Sequence, residues 1–265
     1  MKFGIIAGSG ELPVILNREA LEAGRETIVI GITKDFDERL KDESNNFYNI
    51  SVGQVKRIIN TFIDNNVKEL VIIGKVLKDL LFQPMNLDLT AIKILTRARN
   101  KSDSSLFHAI ADEIESSGIK ILDQRTYLSK LLPEKGILTR KKPSKDELRD
   151  IDYGMDLARK VAELSIGQTV IIKNHMPIAV EAIEGTDAVI RRGNKLCNGD
   201  AVVVKAASPK HDYRFDIPTI GPDTIDVLTE SKSRCLAVEH QKTFLLSHQK
   251  TIQKANEAGI SLVVV

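Results

Sequence analysis

A glycine-rich turn lies between two short apolar segments at the start of this chain. Residues 2–7 read KFGIIA and residues 26–32 read ETIVIGI, so both have the length and aliphatic content of buried strands. Leu16 and Ala20 recur between them at helical spacing, and Gly24 is placed to end that helix. A strand, a helix and a second strand in this order predict a βαβ unit with a parallel sheet.

The same alternation of apolar runs and helical patterns continues along the 265 residues. It predicts an α/β protein with an N-terminal Rossmann-like domain, built on a parallel sheet, and a second α/β domain at the carboxyl end. A polar and basic stretch at residues 133–143 indicates a linker, so we predict domains at residues 1–132 and 144–265. Ser144 and Glu147 form a capping-box pattern that opens the second domain with a helix.

The remaining elements follow from the same patterns. Lys173 to Met176 is typical of a hairpin turn, while Ser102 to Ser105 and Gly221 to Asp223 are typical of helix starts. We predict strands at residues 69–73, 119–122, 169–172, 177–183, 201–204, 234–239, 243–246 and 261–265, and helices at residues 55–63, 87–98, 106–114, 145–162, 187–191 and 249–258.

Composition excludes several classes of function. A net charge of +2 argues against a dedicated nucleic-acid-binding protein, and the absence of Trp argues against base-stacking surfaces. Cys197 and Cys235 have no metal-ligand spacing, which favours a reduced, cytoplasmic chain. The first apolar run is too short for a signal peptide, and no apolar run reaches the roughly 18 residues of a membrane span.

Glycines follow two of the predicted strands in the first domain. Gly8, Ser9 and Gly10 precede Leu12 at a helix start, where free N–H groups and positive partial charge suit a phosphate. Pro13 stands where a dinucleotide fingerprint has its third glycine, so the pattern for a dinucleotide is weak, and a tight turn without a ligand is the alternative.

Gly74 and Lys75 follow the strand at residues 69–73, at the edge where open α/β sheets bind ligands. We predict that Lys75 contacts phosphate, and a solvated lysine is the alternative.

Polar residues also follow a strand in the second domain. Glu184, Gly185, Thr186 and Asp187 stand at a helix start, where Thr186 is placed to donate to a phosphate and Asp187 to face a cation. A plain helix cap is the alternative. Glu181 joins this group only if the turn folds back.

A long loop after the strand at residues 201–204 carries most of the paired charges. Lys205, Asp212, Arg214 and Asp216 lead to Gly221, which opens the next helix. Carboxylates beside a phosphate suit Mg²⁺, and cations stabilise the charge on phosphate oxygens. A surface loop with ordinary salt bridges is the alternative.

Three segments together resemble a known family. Residues 4–13 read GIIAGSGELP, residues 180–188 read VEAIEGTDA and residues 212–222 read DYRFDIPTIGP. In this order they resemble the LpxI-type UDP-2,3-diacylglucosamine pyrophosphatases of lipid A synthesis. The resemblance extends over nearly the whole chain, and its second and third segments are the specific ones.

The resemblance implies a hydrolase that cleaves the pyrophosphate bond of UDP-2,3-diacylglucosamine to UMP and 2,3-diacylglucosamine 1-phosphate. It implies Mg²⁺ as the cofactor, with Mn²⁺ as the alternative ion. It also implies a cytoplasmic homodimer in peripheral contact with the inner membrane, and a lipid substrate held between two α/β domains.

The family's important aspartate precedes its Pro-Thr-Ile-Gly sequence, which identifies Asp216 here. We therefore predict that Asp216 and Asp187 bind the metal, with Asp212 and Arg214 as further catalytic residues. The predicted substrate contacts are Gly8, Ser9, Gly10, Leu12, Gly74, Lys75, Glu184, Gly185, Thr186, Lys205, Thr219 and Gly221. Ser208, His211, His240 and Gln241 depart from the family pattern, which leaves substrate contacts in those two loops open.

Two other functions fit an N-terminal Rossmann-like domain. One is an NAD(P)-dependent oxidoreductase, against which the missing third glycine counts. The other is a nucleotide-sugar sensor without turnover. A Ser triad and a zinc site lack sequence support, because the chain has no G-x-S-x-G elbow and no Cys/His cluster.

Overall fold

The computed structural model of this protein describes residues 1–75, 87–97 and 103–265, with the backbone alone at Asp103 and Ser104. The predicted helix start at Ser102 lies outside these residues. No helix in the described part of the chain is long and apolar enough to span a membrane.

The chain forms two compact units. The first unit holds Met1–Ser129 and Asp212–Asp216, and the second holds Lys130–His211 and Ile217–Val265. The sequence pattern assigns the segment Asp212–Asp216 to the carboxyl-terminal domain, whereas the structure groups it with the first unit. Contacts of its side chains, described below, are the physical reason for this difference.

A parallel sheet forms the centre of the first unit. Its strands are β1 at Lys2–Ala7, β2 at Glu26–Gly31, β3 at Asn46–Asn49, β4 at Glu69–Ile73 and β5 at Lys120–Ile121. They lie in the order β3-β2-β1-β4-β5, and every neighbouring pair is parallel. This order confirms the predicted Rossmann-like sheet, and it places the point where the strand order reverses between β1 and β4.

Helices cover this sheet. They are α1 at Leu12–Glu22, α2 at Arg39–Glu43, α3 at Val55–Asp64, α4 at Leu89–Arg97, α5 at Asp103–Ser116 and α6 at Arg125–Leu128. Gly24 ends α1 as predicted, because its φ is +75° and its N–H donates to the carbonyl of Leu21 at 2.9 Å. The short edge strand β3 was not predicted, since its residues are polar at both ends and only partly buried.

The second unit is built on a mixed sheet. Its elements are β6 at Gly136–Ile137, α7 at Lys145–Glu163, β7 at Thr169–Lys173, β8 at Met176–Val180, α8 at Thr186–Leu196, β9 at Val202–Lys205, β10 at Thr219–Ile220, α9 at Pro222–Glu230, β11 at Cys235–Val238, β12 at Phe244–Leu245, α10 at His248–Glu257 and β13 at Ser261–Val264. A 3₁₀ turn at Ser129–Leu131 precedes them. The main sheet has the order β6-β13-β11-β9-β7-β8, in which β13, β11 and β9 are parallel and the other three strands are antiparallel to their neighbours. β10 and β12 pair separately.

Both faces of this sheet are buried, which explains why its strands are almost wholly apolar. Val170, Val204 and Ala237 pack on one face with the buried Met155 of α7. Alternate strand residues pack on the other face with apolar residues of α8, α9 and α10. The predicted linker at residues 133–143 contains β6, which pairs with β13 through Val263 and Val264.

Two local predictions in the second unit are confirmed. Ser144 Oγ accepts the Glu147 N–H at 3.1 Å, and a Glu147 carboxylate oxygen accepts the Ser144 N–H at 2.6 Å, so the capping box forms. Asn174 and His175 have φ values of +53° and +60°, which make a two-residue hairpin turn between β7 and β8. Buried Asp150 accepts the N–H groups of both turn residues, at 3.0 and 2.7 Å.

Candidate functional site

The two predicted glycine turns of the first unit meet at the reversal point of the sheet. Ser9 and Lys75 form an antiparallel bridge, with Ser9 N–H to Lys75 O at 2.8 Å and Lys75 N–H to Ser9 O at 2.9 Å. The Gly8 N–H donates to the carbonyl of Ile73 at 2.8 Å. Backbones at the carboxyl ends of β1 and β4 therefore form one continuous surface, where α/β sheets of this kind bind ligands.

Helix α1 begins directly after this bridge. Gly10 has a φ of +98° and open space where a side chain would stand. Leu12 is the first helical residue, Glu11 is the cap, and Pro13 follows with no N–H to satisfy. The N–H groups of Glu11 and Leu12 lack intrahelical acceptors, so this helix end carries positive partial charge.

The segment Asp212–Asp216 is held against the same edge of this sheet. The Gln124 N–H donates to the carbonyl of Tyr213 at 3.0 Å, and the Gln124 side chain donates to the carbonyl of Ile72 at 2.7 Å. Gln124 is buried and follows β5, while Ile72 lies in β4. Gln124 therefore joins the segment, through its backbone, to the end of β4, through its side chain.

Aromatic contacts complete this attachment. Phe215 stacks on Phe107 of α5 with ring centroids 5.2 Å apart, and it packs against the core of the first unit. The guanidinium of Arg125 lies 3.8 Å from the centre of the Tyr213 ring. These contacts are the reason that the segment belongs with the first unit.

Arg214 is held by two carboxylates. Its Nε and Nη2 donate to the two oxygens of Asp212 at 3.0 and 2.7 Å, and its Nη1 donates to Glu115 at 3.0 Å. The hydrogen bonds from Arg214 lower the pKa of Asp212 below its usual value. His108 lies 3.6 Å from the same carboxylate. Asp212 is therefore an ionised partner of Arg214 in this structure.

Asp216 ends the attached segment. Its side chain is exposed, in contrast to the part-buried side chains of Asp212 and Arg214. The contacts of Tyr213 and Phe215 hold the backbone that leads to Asp216 on the first unit.

Predicted substrate contacts of the second unit meet around Lys205. The Lys205 ammonium is buried at the end of β9 and donates to Thr186 Oγ1 at 3.4 Å and to the carbonyl of Thr219 at 3.1 Å. Thr186 is the first residue of α8, with Gly185 before it at a φ of +82°. Thr219 precedes Gly221, the cap of α9. One ammonium group therefore lies at the starts of two helices.

Glu181 joins this group, because the turn after β8 folds back. Thr186 Oγ1 donates to Glu181 Oε1 at 3.0 Å, and Glu181 Oε2 accepts the N–H of Gln168 at 3.3 Å. The Thr169 hydroxyl lies 3.5 Å from that of Thr186. Glu181, Thr169 and Lys205 are all buried, so this is an internal polar network rather than a solvated cap.

Two further acidic residues of this region have different surroundings. Glu184 accepts from Arg192 at 2.5 Å, and this hydrogen bond lowers the pKa of Glu184. Asp187 is exposed in the first turn of α8, where a negative charge complements the helix dipole.

Sequence reasoning assigned no role to Glu239, which the structure places at the end of β11. Its buried carboxylate accepts from Arg159 at 3.0 Å, from Lys242 at 2.9 Å and from the N–H of Ala207 at 3.2 Å. Ala207 lies two residues beyond Lys205, so Glu239 anchors the chain where it leaves β9. An acidic residue directly after a buried apolar strand is the sequence pattern that could have identified it.

The predicted site residues thus form three groups. Gly8, Ser9, Gly74 and Lys75 meet in the first unit, where Asp212 and Arg214 pair separately. Glu181, Thr186, Lys205 and Thr219 meet in the second unit. Asp216 and Asp187 belong to different units. Across the described residues, no three His, Cys, Asp or Glu side chains cluster as metal ligands.

Two α/β units with polar groups at the carboxyl edges of their sheets define a protein of the two-domain α/β class. Family models match both halves: the LpxI N-terminal domain matches residues 2–131, and the LpxI C-terminal domain matches residues 134–263. The chain belongs to the LpxI family.

A named relative is similar over the full length. UDP-2,3-diacylglucosamine pyrophosphatase LpxI of Caulobacter vibrioides is 28% identical over 275 residues, which cover 100% of this chain and 97% of the relative. A solved UDP-glucose 4-epimerase of Thermotoga maritima with UDP-glucose is 14% identical with a TM-score of 0.31, over 45% of this chain and 35% of the epimerase.

Proposed function

We propose that this protein hydrolyses the pyrophosphate bond of UDP-2,3-diacylglucosamine, releasing UMP and 2,3-diacylglucosamine 1-phosphate, in lipid A synthesis. The observation that carries the proposal is the match of both LpxI domain models, together with full-length similarity to a UDP-2,3-diacylglucosamine pyrophosphatase. The polar groups at the carboxyl edges of the two sheets support it, because such edges bind nucleotides and phosphates.

Lys205 is the proposed charge stabiliser in the second unit. Cleavage of a pyrophosphate bond develops negative charge on phosphate oxygens, which fixed cations and helix starts stabilise. The Lys205 ammonium lies beside Thr186 of α8 and Thr219 before α9. Its position is held before substrate arrives, so little reorganisation is needed during the reaction.

Asp216 is the proposed principal carboxylate, and Asp187 is the proposed second ligand of Mg²⁺ or Mn²⁺. Both side chains are exposed, which fits a cation that keeps several waters and takes one or two carboxylates with substrate phosphates. When bound, such a cation polarises phosphate oxygens and lowers the pKa of a bound water.

Arg214 and Asp212 have a supporting part in this proposal. Three nitrogen atoms of the Arg214 guanidinium already donate to Asp212 and Glu115. We assign this pair to holding the segment that ends at Asp216, instead of the direct contact with phosphate that the sequence suggested.

The glycine surface of the first unit is the proposed contact for the nucleotide part of the substrate. Gly8 and Gly74 keep the backbone free of side chains, and the start of α1 leaves the N–H groups of Glu11 and Leu12 without intrahelical acceptors. Ser9 and Lys75 border this surface through their mutual bridge.

A substrate with two acyl chains belongs at a membrane surface. We therefore propose peripheral contact with the cytoplasmic face of the inner membrane. Because the resemblance to the LpxI family implies a homodimer, we also propose a homodimer as the assembly.

An assay of UMP release tests the proposal. Purified protein is incubated with UDP-2,3-diacylglucosamine dispersed in detergent, with and without EDTA, and then with Mg²⁺ or Mn²⁺ restored. We expect UMP release that EDTA abolishes and the cation restores. Release that persists in EDTA would remove the metal from the proposal, and no release under any condition would remove the activity. Bound-ligand mass spectrometry that finds a nicotinamide dinucleotide would support an oxidoreductase instead.

A further inference from the structure

Glu181 is a buried carboxylate in the second unit to which the proposed reaction assigns no part. Only 6% of its surface is exposed, and the same fraction applies to Lys205. The two side chains are joined through one atom, because Thr186 Oγ1 lies 3.0 Å from Glu181 Oε1 and 3.4 Å from Lys205 Nζ. An anion and a cation are thus buried on either side of a single hydroxyl group.

The direction of these hydrogen bonds follows from the protons that the Glu181 carboxylate, the Thr186 hydroxyl and the Lys205 ammonium each have to donate. An ionised carboxylate only accepts and an ammonium only donates. The single Thr186 proton is therefore directed to Glu181, and a lone pair of the same oxygen accepts from Lys205. While this arrangement holds, the Thr186 hydroxyl has no proton for a substrate phosphate, contrary to the donor role that the sequence suggested for it.

Both carboxylate oxygens of Glu181, and its backbone, have hydrogen-bond partners. Its second oxygen accepts the N–H of Gln168 at 3.3 Å, and the Glu181 N–H donates to the carbonyl of Thr169 at 2.9 Å. Thr169 is fully buried in β7 and pairs with Lys205 of β9 in the sheet register. Glu181 is therefore fixed to the strand next to the one that carries Lys205.

We propose that Glu181 is a positioning residue: acting through the Thr186 hydroxyl, it holds the Lys205 ammonium at the starts of α8 and α9. Burying an ammonium group costs free energy unless it is paired, and the Glu181 carboxylate lies one hydrogen bond beyond Thr186 as a compensating charge. This inference rests on the proposed function, in which Lys205 stabilises charge on phosphate oxygens.

A double-mutant cycle tests whether Glu181 acts on Lys205 through the Thr186 hydroxyl. Glu181→Met removes the charge and the acceptor, Thr186→Val removes the hydroxyl, and Thr186→Ser keeps it. We expect the first two variants to lower kcat for UMP release about tenfold to a hundredfold, with a smaller change in KM, because misplacing a group remote from substrate carries costs of this size. Thr186→Ser, which restores the hydroxyl, should recover most of the activity that Thr186→Val loses. The double variant should be no slower than the slower single variant.

Chemical labelling of Lys205 gives a readout that does not depend on activity. Full-length protein is treated with an amine-reactive acetylating reagent, and modification of Lys205 is followed by peptide mass spectrometry. Glu181→Met and Thr186→Val should each increase the rate severalfold, because Lys205 is no longer held in a buried network. Glu230→Gln, which affects an exposed pair with Arg191, is the matched control and should leave both kcat and labelling unchanged.

The outcomes separate this inference from the proposed function. If wild-type protein releases no UMP, the proposed function fails, while faster labelling in the variants still supports the positioning of Lys205. Unchanged labelling overturns the inference, and so does a double variant whose loss equals the product of the single losses. Circular dichroism shows whether each variant folds. If Glu181→Met does not fold, the comparison of Thr186→Val with Thr186→Ser tests the inference by itself.

Discussion

Gly8 and Gly74 pack backbone against backbone where β1 and β4 end. A Cβ atom on Gly8 would lie 2.5 Å from the carbonyl oxygen of Lys75, and one on Gly74 would lie 2.9 Å from the Gly8 carbonyl carbon. Neither neighbour is a flexible side chain, so a side chain at either position forces the strand ends apart. The glycine surface of the first unit therefore depends on both residues.

Gly8→Ala should destabilise the first unit by roughly 2 kcal/mol, because the new methyl group overpacks rigid backbone. Gly24→Ala is the matched control, since Gly24 has a φ of +75° but open space around it, and should cost only about 1 kcal/mol of backbone strain. Hydrogen exchange of the β1 and β4 peptides, followed by mass spectrometry, measures the difference. Equal protection in the two variants would contradict the close packing.

Asp216→Asn should lower UMP release about a thousandfold, because metal-assisted steps supply several kcal/mol and each 1.4 kcal/mol corresponds to about tenfold. The fold should survive, since the Asp216 side chain is exposed. Steady-state kinetics and a thermal unfolding curve measure the two effects. Asp223→Asn, in the exposed first turn of α9, is the control and should keep near-normal activity. Near-normal release by Asp216→Asn would remove this residue from the mechanism.

Asp212→Asn should destabilise the first unit in a pH-dependent manner. Hydrogen bonds from Arg214 lower the folded-state pKa of Asp212 below its ordinary value of 3.8. The pair therefore contributes its full stability above pH 3.8, and this contribution is lost as the pH falls through the folded-state pKa. We expect a difference of roughly 1 kcal/mol near neutral pH that shrinks toward zero in acid.

Hydrogen exchange of the α5 peptide and of the segment Asp212–Asp216 at several pH values measures this difference. Asp156→Asn is the control, because that carboxylate is 74% exposed and lies 3.7 Å from Arg159. A difference that grows as the pH falls would show that the Asp212 pKa is shifted in the opposite direction.

The two thiols should differ in reactivity. Cys235 is fully buried in β11, and burial raises the pKa of its thiol to about 12, whereas Cys197 is partly exposed at the end of α8. With a disulfide reagent at pH 8, we expect one fast equivalent from Cys197 and release from Cys235 only upon unfolding. Cys197→Ser should abolish the fast phase. Two fast equivalents in the wild-type protein would contradict the burial of Cys235.

Much of the fold could be predicted because apolar periodicity reports burial directly. The strands at residues 2–7 and 69–73 were predicted with their observed bounds, and the capping box at Ser144 was predicted from four residues. β10 escaped prediction, because two residues are too few for a pattern and the strand depends on its partner β12 in space. β12 lies within the strand predicted at residues 243–246 but is shorter.

Individual candidate residues could be chosen from the sequence, but their grouping could not. Glycines after strands, the lysine at the end of β9 and acidic residues at helix starts could be found from residue type and position alone. The pairing of Arg214 with Glu115, 99 positions apart, could not be found in this way. Nor could the fold-back that brings Glu181 to Thr186, because it depends on the φ of +82° that only Gly185 adopts without strain.

The sequence by itself determined the α/β class, the Rossmann-like start, the family and the types of residue at the carboxyl ends of the strands, because these depend on local periodicity and short motifs. The tertiary structure alone decided that Asp212–Asp216 attaches to the first unit, where Gln124 and Phe107 bind its backbone and its Phe215 ring. It alone placed one hydroxyl between Glu181 and Lys205. Both depend on contacts between residues far apart in the chain, and no local pattern encodes which distant partner a side chain will meet.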